Sequence, residues 1–309
     1  MIKYITIGGI TIDDTVIHSR MSVVEAPGGN SIYSALGARL WSGGVGVVSC
    51  IGPDYPPPFL DSLRASGLDL RGLKQVSCPS QHLWLLYEPD GSRQFVFHKS
   101  SGRTETGIEP LPEQIPEDYL SAKMAHLSAI GFALQEEMAS FLCVHNIPYS
   151  YDITQASLGM DCKPFAKSHI IQNCQLLLPS IEEVELVYGQ PPSLSLLQNI
   201  SRTGPKFIAV KLGARGSLVY EAEKDKTWRI PIYPARVVDT TGAGDAYCGG
   251  FMTGFGETGN IVEAGVCGTA SASFAIEDFG ALHLMKVDPK EAVKRANFIR
   301  KNVEEVSNW

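Results

Sequence analysis

Along the chain, short continuous apolar runs alternate with stretches whose apolar residues recur every three or four positions. Residues 5–9, 45–51, 125–128, 147–152, 175–178, 207–211 and 235–238 form apolar runs that predict buried strands. Residues 31–41 (Ile32, Leu36, Leu40), 57–65, 134–145 and 181–188 carry helical spacing, and the chain closes on three further helical patterns at 243–254, 261–276 and 289–306. This alternation predicts an α/β fold in which helices cover both faces of a mostly parallel sheet.

Two segments break the pattern. Residues 11–26 alternate without helical spacing, and residues 81–99 read as a hairpin with its turn at Asp90-Gly91. Both are β-rich insertions in an α/β chain. A small sheet made from them either covers an active site and excludes water or decorates the surface, and the pattern favours neither. No internal repeat or low-complexity linker is present; Pro56-Pro57-Pro58 and Pro191-Pro192 read as punctuation.

Composition narrows the function classes. The 309 residues carry 44% apolar and 19% charged side chains, as in a globular enzyme with a sizeable core. A net charge of −7 argues against nonspecific nucleic-acid binding, which needs a basic face. The seven cysteines are scattered and form no CxxC pair, so they suggest neither a disulfide framework nor a zinc site, and a reducing cytoplasm is expected. The N-terminal residues lack a signal peptide's charged start and long apolar stretch, and no run is long enough to span a membrane.

The stretch richest in chemistry is Asp239-Thr240-Thr241-Gly242-Ala243-Gly244-Asp245, at the start of a helical pattern. Its glycines let the backbone bend and approach a ligand closely. Free N–H groups at a helix start suit a phosphate. A carboxylate in such an anion site can take the proton of an attacking hydroxyl. The bland alternative is a glycine-rich turn with Asp245 as a helix-start acid. The sequence contains no GxxxxGK[ST], GxSxG or HExxH, and Gly242-x-Gly244 lacks the third glycine of a dinucleotide fingerprint.

The DTTGAGD run resembles the signature of the ribokinase/PfkB family of carbohydrate kinases, and the resemblance extends over nearly the whole chain. Residues 7–13 (IGGITID) resemble the family's first strand and substrate-binding aspartate, and Pro27-Gly28-Gly29-Asn30 its first motif. Residues 47–54 (VVSCIGPD) fit the following strand, residues 211–216 (KLGARG) the nucleotide-phosphate loop, and residues 179–183 (PSIEE) the N-x-x-E motif.

The resemblance implies a ribokinase-like three-layer sandwich: one domain over residues 1–309, a mostly parallel central sheet, and a small β-sheet lid built from residues 11–27 and 81–99. It implies an ATP-dependent kinase with Asp245 as general base and the backbone of Gly242, Ala243 and Gly244 as anion hole. Asp13, Gly28, Gly29 and Asn30 would bind the substrate, Asn30 having a helix N-cap as its alternative role. Ser180, Lys211, Gly213, Gly216 and Thr269 would lie on the nucleotide, with Phe274 and Ala272 near adenine. Mg2+ would bridge the phosphates near Glu183, and Asp239 and Thr241 would form a K+ loop. Two departures stand out: Lys211 where many relatives carry Thr, and Ser180 in place of Asn.

The substrate is less legible. Tyr33 stands where ribokinase-like sequences carry a second Asn, which argues against ribose itself. Lys99 and Arg103 would suit an acidic sugar, or form a solvated basic loop. Trp84, Tyr33 and Trp41 keep a nucleoside substrate open, with Trp84 and Tyr87 able to stack on a flat ring or pack within the lid. A small-molecule partner is expected, with no nucleic acid or membrane, and an exposed lid edge offers a route to a homodimer. A non-catalytic regulatory relative is the remaining alternative, weakened by the intact Asp245 and its glycines.

Overall fold

The computed structural model describes residues 1–18, 22–89, 92–102, 107–153 and 163–307. Among the described residues, fourteen strands and ten α-helices follow the expected alternation. In chain order they are β1 (Tyr4–Ile7), β2 (Thr11–Ile17), β3 (Ser22–Gly28), α1 (Asn30–Arg39), β4 (Val45–Ile51), α2 (Pro57–Ala65), β5 (Asp69–Gln75), β6 (Gln81–Tyr87) and β7 (Arg93–Phe97). Then come β8 (Met124–Leu127), α3 (Phe132–Val144), β9 (Tyr149–Tyr151), α4 (His169–Asn173), β10 (Leu176–Leu177), α5 (Ile181–Tyr188), α6 (Leu194–Thr203), β11 (Phe207–Lys211), β12 (Ser217–Glu221) and β13 (Lys226–Ile230). The chain ends with α7 (Ala243–Thr258), α8 (Ile261–Ala275), α9 (Leu282–Lys286), α10 (Pro289–Arg300) and β14 (Glu304–Val306).

Ten strands form one sheet in the order β14-β13-β12-β11-β10-β9-β8-β1-β4-β5. Pairing is parallel from β11 to β5 and antiparallel from β11 outward to β14. The central strands β1, β4 and β8 are buried along their whole length, as strands covered on both faces must be. Separate hydrophobic clusters lie on the two sides, one joining α1, α7 and α8 to the sheet and the other joining α3, α4, α5 and α6.

The two β-rich insertions pair with each other. A four-stranded sheet runs in the order β3-β2-β6-β7, with β2 parallel to β6 and hairpin-like antiparallel pairs on either side. The turn at Asp90-Gly91 lies outside the described residues.

Two expectations are corrected, and several elements were not expected at all. Residues 235–238 are not a strand: the segment lies between Pro234 and the glycine corner, Val237 is 55% exposed, and the Val238 N–H binds Ile276 O at 2.8 Å instead of a ladder partner. The last helical pattern stops at Arg300, and the alternating residues after it form β14 on the antiparallel edge against β13. Strands β5, β12 and β13 and helices α4, α6 and α9 carry no expectation in the apolar pattern; β5 and β13 are edge-side and rich in polar residues, which hides them from a search for apolar runs.

Candidate active site

The carboxyl ends of the parallel strands converge where the strand order reverses around β1 and β8, the place where open α/β sheets bind ligands. The chain leaves β1 through Gly8-Gly9 and enters β2, carrying Asp13 over this edge. Asn30, at the first turn of α1, ties the edge together. Its Oδ1 accepts the Gly9 N–H at 2.8 Å and its Nδ2 donates to Ala129 O at 2.6 Å. Gly29, not Asn30, is the N-cap of α1. The carboxamide expected on a substrate is therefore mostly committed to backbone, with one N–H to spare.

The 239–245 segment forms the corner expected of it. Gly242 takes φ 73°, the left-handed region, and caps α7. A side chain there would also collide with the Tyr33 ring, which lies flat against the turn. The Ala243 N–H makes a long 3.3 Å bond back to Thr240 O, whereas the N–H groups of Gly242 and Gly244 have no backbone acceptor among the described residues. The N–H groups left free to bind an anion are thus those of the two glycines, and the Ala243 N–H is less available. Asp245 is half-buried in the first turn of α7. Loss of hydration lifts its carboxyl to about 6; Asp152 pushes the same way, and Lys211 and Arg93 pull it back.

Lys211 is the central cation. It stands at the end of β11 with its side chain only 12% exposed, and its Nζ donates to both oxygens of Asp152 at 2.7 and 2.8 Å. Burial alone would lower its pKa, but Asp152, Cys248 and Glu183 hold it well above the ordinary value. Its Nζ passes under the corner, 3.7 Å from where a side chain on Gly244 would begin. Asp152, one residue past β9, went unnoticed in the sequence; an acid directly after an apolar run at the carboxyl edge is the signal that could have found it.

Ser180 and Glu183 sit beside this pair as a capping box on α5. The Ser180 hydroxyl accepts from Glu183 N at 3.2 Å, and the Glu183 carboxylate accepts from Ser180 N at 2.6 Å. The S-x-x-E spacing announces this box, and it explains how Ser replaces Asn without loss of helix geometry. Burial and then Asp152 raise the Glu183 pKa. Glu182 is exposed.

The small sheet supplies the other wall. Asp13 is 4% exposed, its Oδ1 has no hydrogen-bond partner among the described residues, and its Oδ2 occupies the space where Gly28 would carry a side chain. Burial pushes its carboxyl up to about 7, offset partly by the Thr11 hydroxyl. A hydrogen-bond chain links this sheet to the corner. Thr241 spends its single hydroxyl proton on Asp239 Oδ1 at 2.8 Å, so Tyr87, 2.7 Å from the Thr241 oxygen, must be the donor there. Arg93 donates in turn to the Tyr87 oxygen at 3.3 Å. Burial works against the Arg93 charge, but Tyr87, Asp245 and Asp239 hold its pKa above the usual value. Arg93 was missed in the sequence; its place opposite Tyr87 on the same face of the hairpin is the signal.

Asp239 also accepts the Thr241 N–H at 2.9 Å, and its Oδ2 is buried without a partner among the described residues. The Tyr33 phenol is held well above its ordinary pKa by burial and by the charges of Asp13, Asp239 and Asp245, which places it among all three acids. Gly213 and Gly216 shape a tight turn after β11, and Thr269 is buried on α8. The Phe274 ring lies under the Arg295 guanidinium at 3.5 Å, a packing role. Lys99 is exposed in the turn after β7, with no ion pair among the described residues, and Arg103 lies outside those residues.

The model of the pfkB family carbohydrate kinases matches residues 9–287, which include every part of this site. The chain belongs to that family. Kinases of the pfkB family are ATP-dependent, and this chain is one of them. Among its relatives, a cytidine kinase of Thermococcus kodakarensis is 27% identical over 91% of this chain and 98% of its own length. A nucleoside kinase of Methanothermobacter thermautotrophicus is 25% identical over 85% of this chain and 81% of its own. The fold matches that of a Burkholderia thailandensis nucleoside kinase solved in complex with inosine, with a TM-score of 0.79 at 19% identity, covering 96% of this chain and 98% of that one. The ribokinase-like fold expected from the sequence is thereby borne out.

Proposed function

We propose that this kinase moves the γ-phosphoryl group of ATP to a hydroxyl of a sugar-bearing small molecule held between Asp13 and the Gly242–Asp245 corner. The observation that carries the reading is the contrast in partners: the Asp13 Oδ1 atom is buried and unpartnered on one side, while two glycine N–H groups and a carboxylate with a raised pKa wait on the other. Asp13 orients the acceptor through its free oxygen. Asp245 takes the hydroxyl proton at a pKa suited to a base near neutrality. The Gly242 and Gly244 N–H groups, with Lys211 and Arg93 nearby, receive the charge of the transferring group. The small sheet acts as the lid, latched through Tyr87.

Mg2+ fits the charge balance of this site. Asp152, Glu183 and Asp245 share two cations, Lys211 and Arg93, and when all three carboxylates are ionised they leave an excess of negative charge that a divalent ion on the ATP phosphates would offset. Glu183 and Asp152 would hold its water shell, and the ion would supply charge neutralisation of the phosphates. The orphaned Asp239 Oδ2 likewise fits a monovalent cation such as K+.

A second reading narrows the acceptor to a nucleoside. It is favoured by the cytidine and nucleoside kinase relatives and by the Tyr33 ring in place of a polar side chain. An acidic sugar gains no support from Lys99, which is exposed. A cytoplasmic location fits the described cysteines, all of which are unpaired. The test is ADP release with Mg-ATP across sugars, sugar acids and nucleosides. One class is expected to turn over and to lose turnover in Asp245→Asn while calorimetric binding persists. Wild-type binding without turnover across the whole panel would overturn the reading.

A further inference from the structure

The face of the small sheet opposite Asp13 carries a second constellation that phosphoryl transfer does not use. Successive residues of a strand point to opposite faces, so Asp14 leaves the catalytic side that Asp13 occupies. Two histidines meet it there. His82 lies on β6 and His98 directly across from it, just past β7, joined by the His98 N–H to His82 O bond at 2.9 Å. The Nε2 atoms of both rings converge on one oxygen: His82 at 3.2 Å and His98 at 3.0 Å from Asp14 Oδ2. Despite that short approach, His98 Nε2 is buried and makes no aligned hydrogen bond among the described residues. The other Asp14 oxygen is fixed by the Glu25 N–H at 2.7 Å, the kind of outer-shell support that orients a ligating carboxylate.

We infer that Asp14, His82 and His98 form a binding site for one divalent transition-metal ion of the zinc class, on the lid sheet and separate from the phosphate site. Two imidazoles and one carboxylate suit Zn2+, Co2+ or Ni2+, whereas Mg2+ and Ca2+ prefer all-oxygen shells. The ligand atoms already lie within 4.8 Å of one another. Asp14 is buried behind the rings, and each histidine side chain keeps 21% exposure, so an ion enters from solvent at the ring edges. The rings stack at 3.8 Å and 14°, with Trp84 stacked on the far side of His98 at 4.8 Å. One ion in the plane of both imidazoles requires the rings to splay from this stack. Three protein ligands leave at least one position for water. The bound ion staples β2, β6 and β7 together one residue away from Asp13.

The test uses the full chain stripped of metal with a chelator. Titration with Co2+, followed by its visible absorption, and with Zn2+ by calorimetry, is expected to show one ion per chain. His98→Ala and His82→Ala are each expected to weaken binding by more than the roughly 10–100-fold that loss of an outer-shell partner costs. Both variants should keep Mg-ATP turnover. Zn2+ should raise the thermal midpoint of the wild type and leave that of the variants unmoved. Absence of stoichiometric Co2+ and Zn2+ binding to the wild-type chain would overturn the proposal. So would unchanged affinity in folded His98→Ala and His98→Gln, because the ion would then sit elsewhere, for instance at the exposed Cys143.

Discussion

Asp152 and Asp13 are both buried carboxylates at the mouth of the same cleft, one on the large sheet and one on the small. Asp152 is gripped through both oxygens by Lys211. Asp13 keeps one oxygen with no partner among the described residues, and its carboxyl is pushed up to about 7. The first charge is answered within the chain and so belongs to the permanent architecture of the corner. The second is left open at a cost, because a buried polar atom without a partner is expensive, and that cost is the ground for proposing it as a substrate contact. Asp245 stands between these extremes: it is partly desolvated and balanced by Lys211 and Arg93, the condition of a group that changes protonation in use.

The comparison can be broken in several ways, beginning with the largest effect. Asp245→Asn removes the proposed base and is expected to lower kcat by about 10²–10⁴-fold in steady-state assays. In the wild type, kcat/KM should decline as pH drops through about 6, where the raised Asp245 carboxyl protonates. Lys211→Met leaves Asp152 charged and alone, and urea unfolding should report a loss of about 3–5 kcal/mol; adding Asp152→Asn should recover much of it.

Asp13→Asn should behave oppositely in stability. A carboxyl whose folded pKa lies above its unfolded value binds more protons when folded. Its stabilising effect therefore holds at low pH and is lost as pH rises from the ordinary carboxylate range through about 7. Denaturation across that window should show a falling trend in the wild type that flattens in Asp13→Asn, while substrate binding weakens. The smallest change is expected for Tyr87→Phe, which deletes the donor to Thr241. Its cost in kcat/KM should be about 0.5–1.5 kcal/mol, the worth of one neutral hydrogen bond. An effect as large as that of Lys211→Met would mean that the small sheet is as firmly built into the site as the corner is.

Legibility followed the same division. Most of the parallel strands and most of the helices that flank them could be read from apolar runs and helical spacing, because each such element buries a face whose period is local; β5 and α6 could not. Pro57–Ala65 and Phe207–Lys211 were expected at the positions where they occur. The antiparallel edge, β12 to β14, was not: β13 and β14 are part-exposed and mix polar and apolar residues, and β12, though buried, is bounded by Ser217 and Glu221. The corner at Gly242–Asp245 was legible because its chemistry demands glycines and an acid within a few residues. Asp152 and Arg93 were not, because each acquires meaning only from a partner far along the chain: Lys211 for one, the Tyr87–Thr241 link for the other.

The sequence alone determined the α/β alternation, the two β-rich insertions, the family signature and the acid at the glycine corner, all of which rest on local periodicity or on contiguous residues. Only the tertiary structure decided which carboxylates are answered and which are left open, that Asn30 is spent on Gly9 and Ala129, that Tyr33 roofs the glycine turn, and that Asp14 meets two histidines behind the lid. The physical reason is that burial and charge pairing are properties of distances through space. Sheet register and helix packing set those distances, and no spacing along the chain encodes them.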